Sequence, residues 1–344
     1  MEIKKNKIIV VGAGSWGTTL SVLLADKDYD IFLWTHKEET CREIISERKN
    51  KKYTKDLLIP DNIIPFHSIE PGRLAGSDLI ILAVPSHALR ETVKDFHDIF
   101  ESLSDSVKCV LNVAKGFETI TNLRLSEVLS EVLPDRLKEK TCSLSGPNIA
   151  VEVARKLPSV SVAASKSIQI LKFIQTVLST NNFRIYTNED VIGVEIGGAV
   201  KNIIAIASGI SDGLGYGANT KASLIARGLY ELSKFGTRLG ANPLTFSGAA
   251  VMGDLIATCI SEHSRNRNLG ERLARGEKID QIINSMYMVA EGVRTTKAVY
   301  EIAQKNDLDV PITECIYEII YKNLSPEKSV GQLMSRKFKP EIEV

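Results

Sequence analysis

No two of the five cysteines are spaced C-x-x-C. Cys41, Cys109, Cys142, Cys259 and Cys315 are scattered over 344 residues and odd in number. That excludes a disulfide framework and a thiolate zinc cluster, and predicts reduced thiols in a cytoplasmic setting. The five histidines, His36, His67, His87, His97 and His263, lack the H-E-x-x-H spacing, so no metal site is predicted. Neither sign of charge is in excess. Lys and Arg number 43 against 42 Asp and Glu, and the formal charge of +1 is too small to draw the chain onto nucleic acid or anionic lipid. A nucleophile elbow and a Walker loop are both missing, which removes acyl transfer and nucleotide hydrolysis. The most membrane-like stretch, Val191 to Ile210, is interrupted by Glu195, Lys201 and Asn202. Because a charge in mid-bilayer costs on the order of 3 kcal/mol, this stretch reads as a buried helix and no membrane span is predicted. The start, Met-Glu-Ile-Lys-Lys, runs directly into a strand-like apolar segment without a signal-peptide core, which predicts no export.

What is present organises the chain into two parts. Short, nearly continuous apolar runs lie near Lys7 to Val11, Asp30 to Trp34, Asp78 to Val84, Lys108 to Val113, Thr141 to Ser145, Ser159 to Ala164 and Phe183 to Tyr186. They alternate with helical stretches, as strands covered on both faces of a doubly wound, mostly parallel sheet do. Beyond Asn188 the strand signals stop, and helices are predicted over 190–210, 218–240, 246–260, 264–275, 279–285, 292–305 and 311–322. The reading is an α/β domain over residues 1–188 and an all-α domain over 189–344, with 335–344 a weakly patterned tail.

The first strand ends in Gly12-Ala13-Gly14-Ser15-Trp16-Gly17, and a helical stretch follows. G-x-G-x-x-G in this strand–turn–helix context is the dinucleotide fingerprint of a Rossmann-type domain, with Gly12, Gly14 and Gly17 as its glycines. Trp16 reads equally as a packing residue. After the second strand come Thr35-His36-Lys37-Glu38-Glu39. His36 and Lys37 suit a 2′-phosphate and Glu38 suits a free ribose, so NAD and NADP both stay open, NADP slightly ahead.

Lys201 falls in a helix that is apolar almost all round. Desolvation there lowers its pKa toward the range in which an amine exchanges protons near neutrality. Side chains on helices lean toward the N-terminus, which sets Lys201 over Gly197 and Gly198 and predicts an open space there for a ligand. The alternative is a structural ion pair, with the glycines serving helix packing. Glu195 is six residues away on another face; the better partner is Asp254, a lone acid in an apolar stretch that could otherwise cap a helix. Ser264-Arg265-Asn266 at a helix start forms a candidate phosphate site. Lys115 and Gly146 stand in loops at the carboxyl ends of strands, where such sheets bind ligands.

The ordered series GAGSWGT (12–18), AVPSH (83–87), AKGFE (114–118), SGPNIAVEVA (145–154), GGAVKNIIAIASGISDGLGYG (197–217), GDLIATC (253–259), SRNR (264–267), VAEGV (289–293) and PIT (311–313) resembles NAD(P)-dependent glycerol-3-phosphate dehydrogenase of the bacterial soluble type. The resemblance implies reversible reduction of dihydroxyacetone phosphate to sn-glycerol 3-phosphate, a supply of phospholipid backbone, and a cytoplasmic homodimer. It makes Lys201 the proton donor or acceptor and Asp254 its supporting acid. Lys115, Gly146, Asn148, Ser264, Arg265 and Asn266 would hold the phosphorylated substrate. Ser15, Trp16, His36, Lys115, Ala150, Arg265, Val289 and Glu291 would contact the cofactor. Two departures stand out: Asn148 replaces a serine or threonine, and Val251-Met252 replaces a smaller Gly-Leu pair. Other readings are a 6-phosphogluconate or hydroxyacid type dehydrogenase and a non-catalytic NAD(P)-sensing protein.

Overall fold

In the computed structural model, which describes residues 6–55, 57–68, 71–286, 290–338 and 340–341, eight strands form one sheet in the order β3-β2-β1-β4-β5-β6-β7-β8. They are β1 (Lys7–Val11), β2 (Asp30–Trp34), β3 (Ile63–Phe66), β4 (Leu79–Leu82), β5 (Cys109–Asn112), β6 (Thr141–Ser145), β7 (Ser159–Ala164) and β8 (Phe183–Asn188). All neighbours pair in parallel except β6 and β7. β3, Ile-Ile-Pro-Phe, was not foreseen. It lies at the edge of the sheet, where a proline is tolerated because no ladder N–H is needed on its outer side.

The apolar runs are continuous because both faces of the sheet are covered. Ile8 and Val10 join the core on one face, and Ile9 and Val11 join the core on the other. β6 departs from this pattern. Cys142 and Leu144 enter the first core, whereas Ser143 and Ser145 alternate onto the opposite face. That face, near β6 and β7, packs against a 23-residue helix, Val191–Gly213, and Val162 and Ala164 of β7 belong to the same core as this helix. The helix is long and apolar enough to cross a membrane by length and composition, yet most of it is buried inside the protein. Around it lie Ala218–Arg238, Asp254–Ile260, Arg265–Ala274, Glu291–Lys305 and Pro311–Lys322. Among the described residues no strand follows Asn188, and a further helix not foreseen, Pro326–Met334, precedes the C-terminal segment.

Candidate active site

The Gly-rich turn has a separate physical reason for each glycine. Gly12 has φ +118°, and a Cβ there would meet the Ala83 carbonyl oxygen at 2.7 Å. At Gly17 a Cβ would fall 2.0 Å from the Gly12 carbonyl oxygen, so this glycine lets the Ser15–Ala25 helix close onto the strand. A Cβ at Gly14 would meet nothing within 4 Å. Gly14 therefore opens a cradle at the start of the helix, whose first turn carries no acid and whose N-cap makes no side-chain hydrogen bond. Free N–H groups at a helix start with open space before them fit a pyrophosphate. Trp16 is partly buried against the sheet core, its ring 6.3 Å from that of Phe183. After β2 the Thr35 hydroxyl closes a local turn with the backbone of Lys37, and His36 and Lys37 are exposed. Glu38 pairs with Arg42 at 2.6 Å.

At the carboxyl ends of β5 and β6 three charged side chains meet. Lys201 is 6% exposed and Asp254 2%, so the pair is desolvated. The Lys201 ammonium donates to Asp254 Oδ1 and, at 2.7 Å, to Thr258 Oγ1. Lys115 Nζ donates to Asp254 Oδ2 at 2.6 Å and to the Gly146 carbonyl at 3.1 Å. Burial pulls the Lys201 pKa down to about 8; Asp254 acts to raise it, and the positive charge of Lys115 lowers it further. Burial acts to raise the Asp254 carboxyl, but Lys115 and Lys201 overcome it and hold the group below the usual carboxylate range. Two ammonium groups on one carboxylate leave a surplus positive charge at the strand ends. Such a site suits an anion or a carbonyl oxygen that gains negative charge.

Asp254 is delivered by an unusual backbone: a π-helical segment, Ala249–Gly253, runs into the Asp254–Ile260 helix, and the N-cap position belongs to Gly253 rather than to Asp254. The expected ligand space over Gly197 and Gly198 is corrected by the structure. A Cβ at Gly197 would fall 2.3 Å from Val251, and one at Gly198 would fall 2.8 Å from Ser145 Oγ. These glycines let the helix approach its neighbours, and Lys201 extends past them to Asp254.

The remaining predicted residues fall around this cluster with differing engagements. Gly146 has φ +148°, and a Cβ there would strike Ser161 Cα at 2.9 Å. Asn148 Nδ2 donates to the Val160 carbonyl and Oδ1 accepts from Ser161 Oγ, which ties the amide to β7. Ala150 opens the short helix Ala150–Ala154, half-buried. Ser264 caps the Arg265–Ala274 helix by accepting from Arg267 N–H. Asn266 is buried, donating to Asn202 Oδ1 at 2.9 Å and accepting from Gly292 N–H at 3.1 Å. Arg265 keeps an exposed surface; partial desolvation lowers its pKa and Glu291 opposes the shift. Glu291 accepts from Ser86 N–H at 3.1 Å and from Ser86 Oγ at 2.6 Å, joining the loop after β4 to the helical part of the chain. Val289 lies outside the described residues. Arg267, beside these residues in sequence, pairs with Asp212 and Glu271. Thr258, Asn202 and Ser86 were missed. Thr258 had a legible signal, since it stands four residues after Asp254 on one helix face.

Compared with known proteins, residues 7–171 match the family model for the NAD-dependent glycerol-3-phosphate dehydrogenase N-terminus, and residues 190–331 match that for its C-terminus. An NAD(P)+ glycerol-3-phosphate dehydrogenase of Chlorobium phaeobacteroides strain BS1 is 48% identical over 336 residues, 98% of this chain and 99% of that protein. The Bacillus pumilus strain SAFR-032 enzyme of the same name is 43% identical, over 98% of this chain and 96% of the other. The crystal structure of glycerol-3-phosphate dehydrogenase from Coxiella burnetii superposes with a TM-score of 0.88 at 33% identity, covering 96% of this chain and 99% of that one. With both family models matched in order and relatives similar along nearly their whole length, this chain belongs to the NAD-dependent glycerol-3-phosphate dehydrogenase family.

Proposed function

We propose that the protein interconverts dihydroxyacetone phosphate and sn-glycerol 3-phosphate, using NAD(P)H, and so supplies the glycerol phosphate backbone of phospholipids. The observation that carries this is the buried Lys201–Asp254 pair, joined by the half-buried Lys115 at the strand ends, in a chain of this family. The nicotinamide, when bound, supplies or takes up the hydride. Gly12, Gly14 and Gly17, with the first turn after Ser15, hold the pyrophosphate; Trp16, His36, Lys115, Ala150, Arg265, Val289 and Glu291 are the further proposed cofactor contacts. Lys201 Nζ holds the proton that the substrate oxygen gains in reduction and gives up in oxidation. Asp254 and Thr258 fix that nitrogen in place, and the Lys115 ammonium adds positive charge where the oxygen becomes negative. Gly146, Asn148, Ser264, Arg265 and Asn266 complete the proposed substrate site, with Arg265 as the phosphate anchor that lends remote binding energy to the reacting carbon. His36 and Lys37 beside an engaged Glu38 support NADP over NAD. We place the domain boundary at 188/189 and the enzyme in the cytoplasm as a homodimer, which sedimentation tests. Steady-state assays with dihydroxyacetone phosphate, comparing NADPH with NADH, test the reaction. Turnover with either is expected; cofactor binding without turnover would favour a sensing protein instead.

A further inference from the structure

Glu195 lies on the same helix as Lys201 and takes no part in the ammonium–carboxylate cluster. Its side chain is 7% exposed. Oε1 accepts from Ser126 N–H at 3.0 Å and Ser143 Oγ at 2.8 Å, and Oε2 accepts from Ser126 Oγ at 2.6 Å and Arg124 Nη1 at 3.0 Å. A carboxylate offers about four acceptor positions, so these donors fill it. All of them come from the sheet side: Ser143 from β6, and Arg124 and Ser126 from the start of the helix Leu125–Val132. A one-residue slip of the Val191–Gly213 helix would move Glu195 by about 1.5 Å along the axis and roughly 100° around it, enough to break the set.

β6 touches the catalytic part of the molecule at a second point. Ser143 and Ser145 share one face of the strand. Ser143 binds Glu195, and Ser145 Oγ lies 3.5 Å from Asp254 Oδ2 and 3.3 Å from the Ala250 carbonyl. Packing alone does not fill the junction between the two points: a cavity of ≈ 10 Å³ is lined there by Lys115, Ser143, Ser145, Glu195 and Gly198. Its volume is that of a single water site.

We propose that Glu195 is a positioning residue for proton transfer. Its carboxylate indexes the Val191–Gly213 helix against β6, so that the Lys201 ammonium meets Asp254 at the level of Ser145. The inference rests on the proposed reaction for its kinetic readout, and its test also has a readout independent of that reaction. Glu195→Gln replaces two of the four acceptor positions by N–H donors. In the folded variant, kcat for dihydroxyacetone phosphate is expected to fall about 10-fold or more. KM and the NAD(P)H dissociation constant, read by fluorescence titration, are expected to stay within about twofold of wild type. Glu195→Asp, which keeps the charge and all acceptors, is expected to recover part of the loss. Lysine acetylation by acetic anhydride, followed by mass spectrometry, is expected to modify Lys115 and Lys201 several-fold faster in Glu195→Gln. Ser143→Ala removes one donor only and gives the same pattern more weakly, which decides the matter if Glu195→Gln does not fold. Wild-type kcat and wild-type labelling in a folded Glu195→Gln or Ser143→Ala would overturn the proposal. A wild-type enzyme inert toward dihydroxyacetone phosphate would overturn the proposed reaction instead, while the labelling result still decides the role of Glu195.

Discussion

The chemistry of a single nitrogen sets the expectations at the scale of residues. With its pKa drawn to about 8 by burial, Lys201 is mostly an ammonium at neutrality and mostly an amine at pH 9. Ketone reduction needs the proton, so kcat/KM for dihydroxyacetone phosphate is expected to fall as pH rises through about 8. Glycerol 3-phosphate oxidation needs the free amine and is expected to rise across the same window; profiles in both directions check the sign. Asp254 acts to raise that pKa, so Asp254→Asn is expected to move both limbs toward acid pH. Lys201→Met should bind NAD(P)H normally and lose about 10²-fold or more in turnover, measured by nicotinamide absorbance. The Lys201 and Asp254 pair was legible in sequence because a lysine and an acid each fell in a largely apolar stretch, where an unpaired charge is untenable, and Glu195 stood on another face of the lysine's helix. Ser86 gave no such signal, because a serine opening a short 3-10 turn after a strand is ordinary until Glu291 reaches it.

Close helix approach and helix capping govern the scale of elements. Gly209 and Gly270 let the Val191–Gly213 helix and the Arg265–Ala274 helix touch backbone to backbone: a Cβ at Gly270 would sit 2.1 Å from the Ile206 carbonyl oxygen. At Gly197 the obstacle is a side chain, Val251, in the π-helical segment that carries Asp254. Gly197→Ala is therefore expected to destabilise by about 1–3 kcal/mol through overpacking. Adding Val251→Ala is expected to restore much of the loss, and a double-mutant cycle by denaturant unfolding checks the coupling. At the start of the Pro311–Lys322 helix, the buried Glu231 accepts from Ile312 N–H, Thr313 N–H and Thr313 Oγ1. This gives the PIT segment a structural role. Glu231→Ala leaves those donors buried and is expected to cost about 2 kcal/mol or more. Burial raises the Glu231 pKa to about 7, against the hydrogen bonds that lower it. A raised carboxyl stabilises fully below its ordinary pKa, and that contribution is lost as pH rises through 7. The wild-type Tm should accordingly decline over this window more steeply than that of Glu231→Gln.

For the whole molecule, the decisive feature is that one apolar core contains both β7 residues and the central helix. The sheet cannot cover Phe117, Val162 and Ala164 without that helix, so calorimetry is expected to show one unfolding transition. Two resolved transitions would mean that the halves fold independently. By itself the sequence determined the alternation of strands and helices, the stop of strand signals near Asn188, the glycine-rich turn, and Lys201 and Asp254 as charges set in apolar stretches; the buried Glu231 was not among its readings. Those readings depend on local periodicity and on the high cost of burying charge, which act at short range along the chain. The edge strand β3 escaped because its proline and short length weaken the local signal. Only the tertiary structure decided what Gly197 and Gly198 face, which donors fill Glu195, and that Lys115 joins Lys201 on one carboxylate. Each of those contacts links residues far apart in sequence, and a chain's local pattern carries no record of which distant surface its own face will meet.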